Sequence, residues 1–162
     1  MPAHLHASLL GILMGCGESK VAVRDDGLQA ELDKYFGGLT QGKHRITVDM
    51  MDPRFFPKQA VRSEAVALIE KSTTTFDYHS ITNGEPFGEF SGSNSLHCFV
   101  PYVSDAEFRG RRATVKSHLL ATRYHDSTNW FFVDIGTKPR KFLSEYYKNL
   151  TNPLPTASLE SE

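Results

Sequence analysis

Asp77 and His79 are the two residues of this chain whose types and spacing best suit proton-transfer chemistry. Both fall within residues 76–81, which we predict to be a strand. Alternate residues of a strand point to the same face, with Cα atoms roughly 6–7 Å apart. A carboxylate at that distance can orient an imidazole, which can then act as a general base. The spacing therefore predicts an acid–base pair formed by Asp77 and His79.

Two further polar residues would complete such a catalytic site. Tyr102 and His118 lie on predicted neighbouring strands, and either can polarise a substrate if both face the same cavity. Trp130 is a candidate for lining that cavity, so Tyr102, His118 and Trp130 are also the candidate ligand-binding residues. The alternative is that the polar residues belong to the solvent-exposed face of an antiparallel sheet, and that the aromatic residue builds core.

The amino-terminal region contains a short apolar run, residues 9–16, that ends on Cys16 and is followed by polar residues. Leu13-Met14-Gly15-Cys16 resembles the lipobox of a bacterial lipoprotein signal, in which a small residue precedes the cleaved bond. The resemblance implies that the Cys16 thiol carries a lipid anchor and that the protein resides in the bacterial cell envelope. The alternative is a frayed or docked first segment of a cytoplasmic protein.

Composition argues against several classes of partner. The chain has 162 residues and a formal net charge of −1 at pH 7, so it lacks the general basic surface that nucleic-acid binding requires. A local basic cluster surrounds Gly110: it consists of Arg109, Arg111, Arg112 and Lys116. We predict a solvated hairpin end there, with an anion site as the alternative. No apolar run reaches the roughly 20 residues of a membrane-spanning helix, so contact with a membrane is expected only through the lipid anchor.

The sequence predicts no metal site and no cofactor. Its two cysteines are Cys16 and Cys98. Cys98 alternates with apolar residues in a predicted strand, which is typical of a buried small hydrophobe. The chain has no phosphate-cradling glycine loop, no nucleophile elbow and no histidine pair with metal-ligand spacing on a helix.

Helices are predicted from apolar residues that recur with helical spacing. They cover residues 27–37, where Gly37-Gly38 is expected to end the helix, then residues 41–51, where β-branched residues leave a strand possible, and residues 59–72. The third has the most regular apolar stripe: Val61, Ala65, Leu68 and Ile69. A closing helix is predicted over residues 139–150, and residues 151–162 are rich in Pro, Ser, Thr and Glu, which predicts a disordered tail.

Strands are predicted over residues 76–81, 85–90, 95–103, 113–124 and 130–134. Asn83-Gly84 indicates a tight turn, across which residues 85–90 are expected to pair back on the preceding strand. Pro101 cannot donate a ladder hydrogen bond, so it predicts an edge, a bulge or a bend. Helices followed by an antiparallel meander predict an α+β domain, residues 27–150, with helices packed on a curved antiparallel sheet. Residues 1–26 form the signal-like segment and tether.

This order of elements is similar to that of the nuclear-transport-factor-2-like superfamily, over residues 27–134. Within it, LHCFVPYV (residues 96–103) and NWFFVD (residues 129–134) resemble small uncharacterised bacterial members. The resemblance implies a cone-shaped fold with a pocket between sheet and helices, here with an extra helix at the carboxyl end. It does not imply catalysis, because function depends on the residues placed in the pocket.

Three functions follow as hypotheses. The first is a non-catalytic envelope domain that binds a small hydrophobic ligand or has a structural role. The second is a pocket enzyme of the isomerase or dehydratase type that uses Asp77 and His79. The third is a dimeric adaptor, since members of the superfamily often form homodimers through the outer face of the sheet.

Overall fold

Among the residues that the structure describes, three helices precede the sheet, as the sequence predicts. The computed structural model describes residues 26–56, 59–73, 76–136 and 158–161. The helices are α1 (Asp26–Thr40), α2 (His44–Asp49) and α3 (Gln59–Thr73), and the 3₁₀ turn Pro53–Phe55 lies between α2 and α3. The segment that the sequence left open between helix and strand is therefore a helix of 6 residues.

α1 continues past Gly37 and Gly38, so the prediction that these glycines end the helix is wrong. Gly38 allows close approach at this point, because a Cβ on it would overlap the Thr47 hydroxyl of α2. That hydroxyl donates a hydrogen bond of 3.2 Å to the Tyr35 carbonyl oxygen. Gly38 therefore lets α1 and α2 pack backbone against backbone.

α3 lies at the margin of the fold, although its apolar stripe is the most regular in the sequence. Leu68 is 66% exposed, and the other residues of the stripe are only half-buried. An ion pair joins α3 to α2, with Arg62 Nη1 lying 3.2 Å from Asp49 Oδ1. A helical period thus correctly predicts the helix but not the depth to which it is buried.

The strands form one six-stranded sheet in which each pair of neighbours is antiparallel. This confirms the predicted α+β class with an antiparallel sheet; the cone shape stays a prediction. The strands are β1 (Phe76–Asn83), β2 (Phe87–Ser91), β3 (Ser95–Phe108), β4 (Arg111–Tyr124), β5 (Trp130–Asp134) and β6 (Ser158–Ser161).

β3 and β4 form a central hairpin of 14 residues each, longer than the sequence predicts. Arg109 and Gly110 join them with φ angles of 51° and 77°. Two consecutive positive φ values are the signature of a type I′ turn, which matches the twist of paired strands. The arginines and Lys116 are exposed around this turn, in agreement with the predicted solvated hairpin end.

β1 and β2 lie end to end along the same edge of β3. β1 pairs with residues 102–108, and β2 pairs with residues 96–99. The prediction that residues 85–90 fold back on the preceding strand is therefore wrong. The Gly84 backbone N–H donates a 2.8 Å hydrogen bond to the Pro101 carbonyl oxygen, so the chain continues along β3 after Asn83 rather than reversing.

Pro101 occupies the point at which β3 changes its partner from β1 to β2. Its carbonyl oxygen points toward Gly84, so its missing N–H would point to that same side of the strand. The long ladder with β4, in which Pro101 lies opposite His118, therefore loses no hydrogen bond. A proline in the middle of a long strand is tolerated because the break between β1 and β2 falls beside it.

The main core lies between α1 and one face of the sheet. Aromatic rings fill this space: the ring centroids of Tyr35 and Phe132 are 5.1 Å apart, and those of Phe36 and Tyr102 are 5.5 Å apart. Cys98 is fully buried in this core, as predicted. Its buried members are Leu28, Leu32, Tyr35, Phe36, Cys98, Val100, Leu119, Ala121, Trp130 and Phe132.

The opposite face of the sheet carries a second, smaller core. It contains Phe99, Leu120, Val133 and Ile135, against which Phe55 and Phe90 pack. The chain after α2 also covers the edge of β5, because Phe132 exchanges backbone hydrogen bonds with Met50 and Asp52 at 2.9 and 3.2 Å. These bonds bring the turn that follows α2 against the sheet.

Two predictions fall outside the described residues: the closing helix over residues 139–150, and the lipobox with Cys16. Of the predicted disordered tail, Ser158–Ser161 forms β6 and pairs with residues 113–116 of β4. The prediction of disorder therefore does not hold for these four residues. Within the described ranges, none of the helices combines the length and apolar character needed to cross a membrane.

Candidate functional site

His79 lies in a β-bulge of the edge strand β1. Tyr78 pairs with Ala106 and Ser80 pairs with Asp105, so His79 is the extra residue between two successive pairs. A bulge re-aims the side chain that it carries. The His79 imidazole lies 3.8 Å from the carboxylate of Glu107, measured from Nε2 to Oε2.

Asp77 is exposed and lies opposite Glu107 in the register of β1 and β3. Among the ion pairs of the described residues, the partner of His79 is the Glu107 carboxylate on the adjacent strand. The same-face spacing that suggested an Asp77–His79 pair applies to a regular strand, and the bulge interrupts that regularity. The acid–base role of the two residues stays a prediction.

The bulge also places His79 in the walls of two neighbouring clefts. The first, which we call the edge cleft, has a volume of about 320 Å³ and includes His79, Ser80, Asp105, Arg112 and Thr114 in its lining. The second, the helix-side cleft, has a volume of about 290 Å³. It lies between α1 and β1, and its lining includes Asp33, Phe36, Thr40, His79 and Asn83. His79 is thus shared by both clefts.

Asp105 is held in a defined position in the edge cleft. Thr114 Oγ1 donates a hydrogen bond of 2.9 Å to Asp105 Oδ1, and Ser80 Oγ donates one of 3.4 Å to Oδ2. These donors come from the two strands that flank β3. The carboxylate is exposed but oriented, which reduces the ordering cost of binding a ligand.

Tyr102 and His118 lie on opposite faces of the sheet, so the structure does not bring them to one cavity. Tyr102 pairs with Ser117 in the register of β3 and β4, whereas His118 pairs with Pro101. Tyr102 therefore faces α1 with Phe36. His118 faces the other way, with its ring edge-on to Phe87 at 5.8 Å between centroids.

Tyr102 instead belongs to a cluster centred on Asp134. The Tyr102 hydroxyl donates a 2.7 Å hydrogen bond to Asp134 Oδ2, while Ser117 Oγ and the Gly136 backbone N–H donate to Oδ1 at 3.3 and 2.9 Å. Burial, followed by the negative charge of Asp134, raises the pKa of Tyr102. The phenol is therefore a hydrogen-bond donor throughout the physiological pH range.

The other two predicted ligand-binding residues differ in burial. Trp130 is 1% exposed within the main core, with the Arg123 guanidinium 5.1 Å from its ring centroid. His118 is half-buried, and its Nδ1 has no hydrogen-bond partner. Burial lowers the pKa of His118, with an opposing effect of Asp134. Ligand contact by either residue stays a prediction.

A buried histidine network, which sequence reasoning missed, lies near the end of the second core. The two ring nitrogens of His97 are hydrogen-bonded to Ser95 Oγ at 2.8 Å and to Thr122 Oγ1 at 2.9 Å. The ring stacks on Phe90 at 4.8 Å. Burial, and then the charge of Arg54, lowers the pKa of His97 to about 4, so the imidazole is neutral in the folded protein at pH 7.

A buried ion pair lies close to this network. Asp52 is fully buried and accepts hydrogen bonds from Arg54 Nε at 3.1 Å and Arg54 Nη2 at 2.7 Å. The Tyr124 hydroxyl donates to both oxygens of the same carboxylate, at 2.9 and 3.1 Å. Burial and, to a smaller extent, the negative charge of Asp52 raise the pKa of Tyr124. Because the carboxylate also caps the 3₁₀ turn through the Arg54 backbone N–H, this cluster fastens the turn to β4.

Sequence comparisons and metal-ligand geometry add no further site. The chain matches no model of a known protein family, and a search of curated proteins finds no match either. In the part of the chain that the structure describes, no three His, Cys, Asp or Glu side chains group as metal ligands. The edge cleft and the helix-side cleft are therefore the candidate functional site, with His79 and Ser80 lining both.

Proposed function

We propose that this chain is a non-catalytic domain that binds a small polar ligand in the clefts beside His79. The observation that carries the proposal is the β1 bulge, which places one titratable side chain in the walls of two clefts. Bulges are over-represented beside functional sites because they re-aim a side chain. The cleft volumes are at the lower end of the range for small-molecule sites.

The polar character of the edge cleft favours a polar ligand over the small hydrophobic ligand of the first hypothesis drawn from the sequence. Asp105, Arg112 and Thr114 contribute charged and hydroxyl groups to it. In contrast, the space between α1 and the sheet contains packed aromatic rings. A ligand bound at the edge of β1 would displace solvent and leave the core packing unchanged.

The pocket-enzyme alternative has less support. It requires Tyr102 or His118 to act on a substrate that Asp77 and His79 also reach. Tyr102 is hydrogen-bonded to Asp134 on the α1 side of the sheet, and His118 lies on the other side. The adaptor alternative rests on two exposed apolar side chains of the outer face, Phe87 and Val103.

Substitution of His79 tests the binding proposal. Titration of the ¹⁵N-labelled full chain with a library of small neutral polar fragments is expected to shift the backbone amides of residues 79–81. The His79→Ala variant should bind the best fragment about two- to tenfold more weakly, because one polar contact is lost. His125→Ala, an exposed histidine in the turn before β5, serves as the control and should bind normally. Equal binding by both variants, or shifts confined to other regions, would contradict the proposal.

The lipobox-like segment supports a second part of the proposal, a lipid anchor at Cys16 that holds the domain at the bacterial envelope. The full chain expressed in a bacterial host is expected to incorporate an alkyne-labelled fatty acid, because the Cys16 thiol becomes acylated after signal processing. Cys16→Ser should abolish the label, and Cys98→Ser, which changes a buried thiol, should retain it. An unlabelled wild-type chain, or label on Cys16→Ser, would exclude the anchor.

A further inference from the structure

Opposite charges line the edge cleft. Asp105 lies opposite Thr114, and Arg112 lies opposite Glu107. Asp105 and Arg112 are therefore diagonal neighbours on one face of an antiparallel pair, with Cα atoms roughly 7–8 Å apart. Both side chains are exposed, and both line the cleft.

The side chains of Asp105 and Arg112, both within the described residues, make no direct ion pair with each other. Two hydroxyl groups orient the Asp105 carboxylate, yet a carboxylate has about four acceptor positions, so it can accept further hydrogen bonds. A guanidinium offers five N–H donors in a planar fork that matches a carboxylate.

We infer that the edge cleft binds a small zwitterion of the α-amino acid type. The ligand carboxylate would pair with Arg112, and the ligand ammonium group would pair with Asp105. This inference rests on the proposed function and names the ligand class for it. A volume of about 320 Å³ accommodates a molecule of that size.

The surrounding charges favour a zwitterion over a simple anion or cation. An anion at Arg112 would also experience repulsion from Glu107 directly across the strand pair and from Asp105. A cation at Asp105 would experience repulsion from Arg112 in the same way. A ligand that carries both charges, separated by one carbon atom, can pair with both side chains.

The test uses the full chain and three forms of each probe. Saturation-transfer NMR with an equimolar mixture of L-amino acids identifies the best-bound amino acid, and calorimetry then measures its affinity. The same amino acid with its amine acetylated, or with its carboxylate converted to the amide, lacks one of the two charges. We expect each blocked form to bind about tenfold or more weakly than the free amino acid, because one charge-assisted contact is lost.

Protein variants locate the site. Asp105→Asn and Arg112→Gln should each weaken binding of the free amino acid about tenfold. Arg111→Gln is the matched control, since Arg111 is exposed one residue earlier on the opposite face of β4, and it should bind normally. Circular dichroism of each variant verifies that it is folded.

The possible outcomes separate this inference from the proposed function. If neutral fragments shift the cleft residues and amino acids do not bind, the zwitterion inference fails and the binding function stands. If amino acids bind equally well to Asp105→Asn and Arg112→Gln, they occupy another site and the inference also fails. If neither fragments nor amino acids bind, both proposals fail.

Discussion

Replacement of Arg54 by methionine is expected to lower the free energy of unfolding by about 3 kcal/mol. The substitution retains a long apolar side chain but removes the guanidinium that pairs with Asp52. Asp52 is 0% exposed, and its carboxylate would then be buried without that counter-charge. The hydrogen bonds from Tyr124 and from the Arg54 backbone N–H would remain, which keeps the loss near the lower limit for a broken buried ion pair.

Urea unfolding followed by circular dichroism measures this loss. Arg45→Met is the matched control, because it removes the same group from an exposed pair: Arg45 is 80% exposed and lies 4.0 Å from Asp49. That variant should change stability by less than about 1 kcal/mol. The double variant Asp52→Asn/Arg54→Met removes both charges and should recover part of the loss, since no buried carboxylate remains. If Arg54→Met and Arg45→Met lose the same stability, the buried pair does not fasten the turn.

Acidification from pH 7.5 to pH 4 is expected to destabilise the protein by about 3 kcal/mol through His97 alone. The pKa of His97 is lowered from its ordinary value of 6.5 to about 4 in the fold, mainly because the imidazole is buried. Between those two values the unfolded chain binds a proton that the native state does not, so stability falls as the pH falls through this range. Well above pH 6.5 the histidine is neutral in both states, so it no longer contributes to the pH dependence of the free energy of unfolding.

The difference between two stability profiles isolates this effect. Free energies of unfolding are measured at intervals from pH 7.5 to pH 4 for the wild type and for His97→Gln, which retains hydrogen-bonding capacity but does not titrate. Carboxylates and the other histidines titrate in both proteins, so their contributions cancel in the difference. We expect the wild type to lose more stability than the variant as the pH falls, while His125→Gln follows the wild type. Parallel profiles for the wild type and His97→Gln would show that the buried imidazole is not the acid-sensitive group.

The two predictions concern neighbouring groups that long-range pairing brings together. Arg54 follows α2, and His97 lies on β3, yet the charge of Arg54 contributes to the lowered pKa of His97. Loss of Arg54 should therefore move the pKa of His97 upward. The acid sensitivity of Arg54→Met would then be smaller than that of the wild type, which the same urea titrations can show.

The spacing of apolar residues along the chain was sufficient to predict the class of fold and most of the helices and strands. Helical periods predicted α1 and α3, and the aromatic run of β5 was predicted with the same bounds, because these signals depend on residues within a few positions of one another. The α+β class followed from the order of the elements along the chain. The exposure of Leu68 did not follow, because burial depends on which other element packs against the helix.

Strand register and the bulge in β1 decided which side chains line the candidate site. Neither can be predicted from the residues within a few positions along the chain. Tyr102 was recognised from the sequence, but its partner Asp134 is 32 residues away, and only strand pairing brings the two together. A shift of one residue in register reverses the face on which every side chain lies. Because His118 pairs with Pro101 and Tyr102 pairs with Ser117, the side chains of Tyr102 and His118 lie on opposite faces of the sheet.

By itself, the sequence determined that helices precede an antiparallel sheet, that Cys98 is buried and that the basic cluster surrounds a turn. Only the tertiary structure decided that His79 is turned toward Glu107 and two clefts, that Asp105 and Arg112 share one of them, and that Asp52 and His97 are buried. The physical reason is that periodicity reports the conformation of each segment, whereas bulges, register and burial arise from the free energy of packing one segment against another.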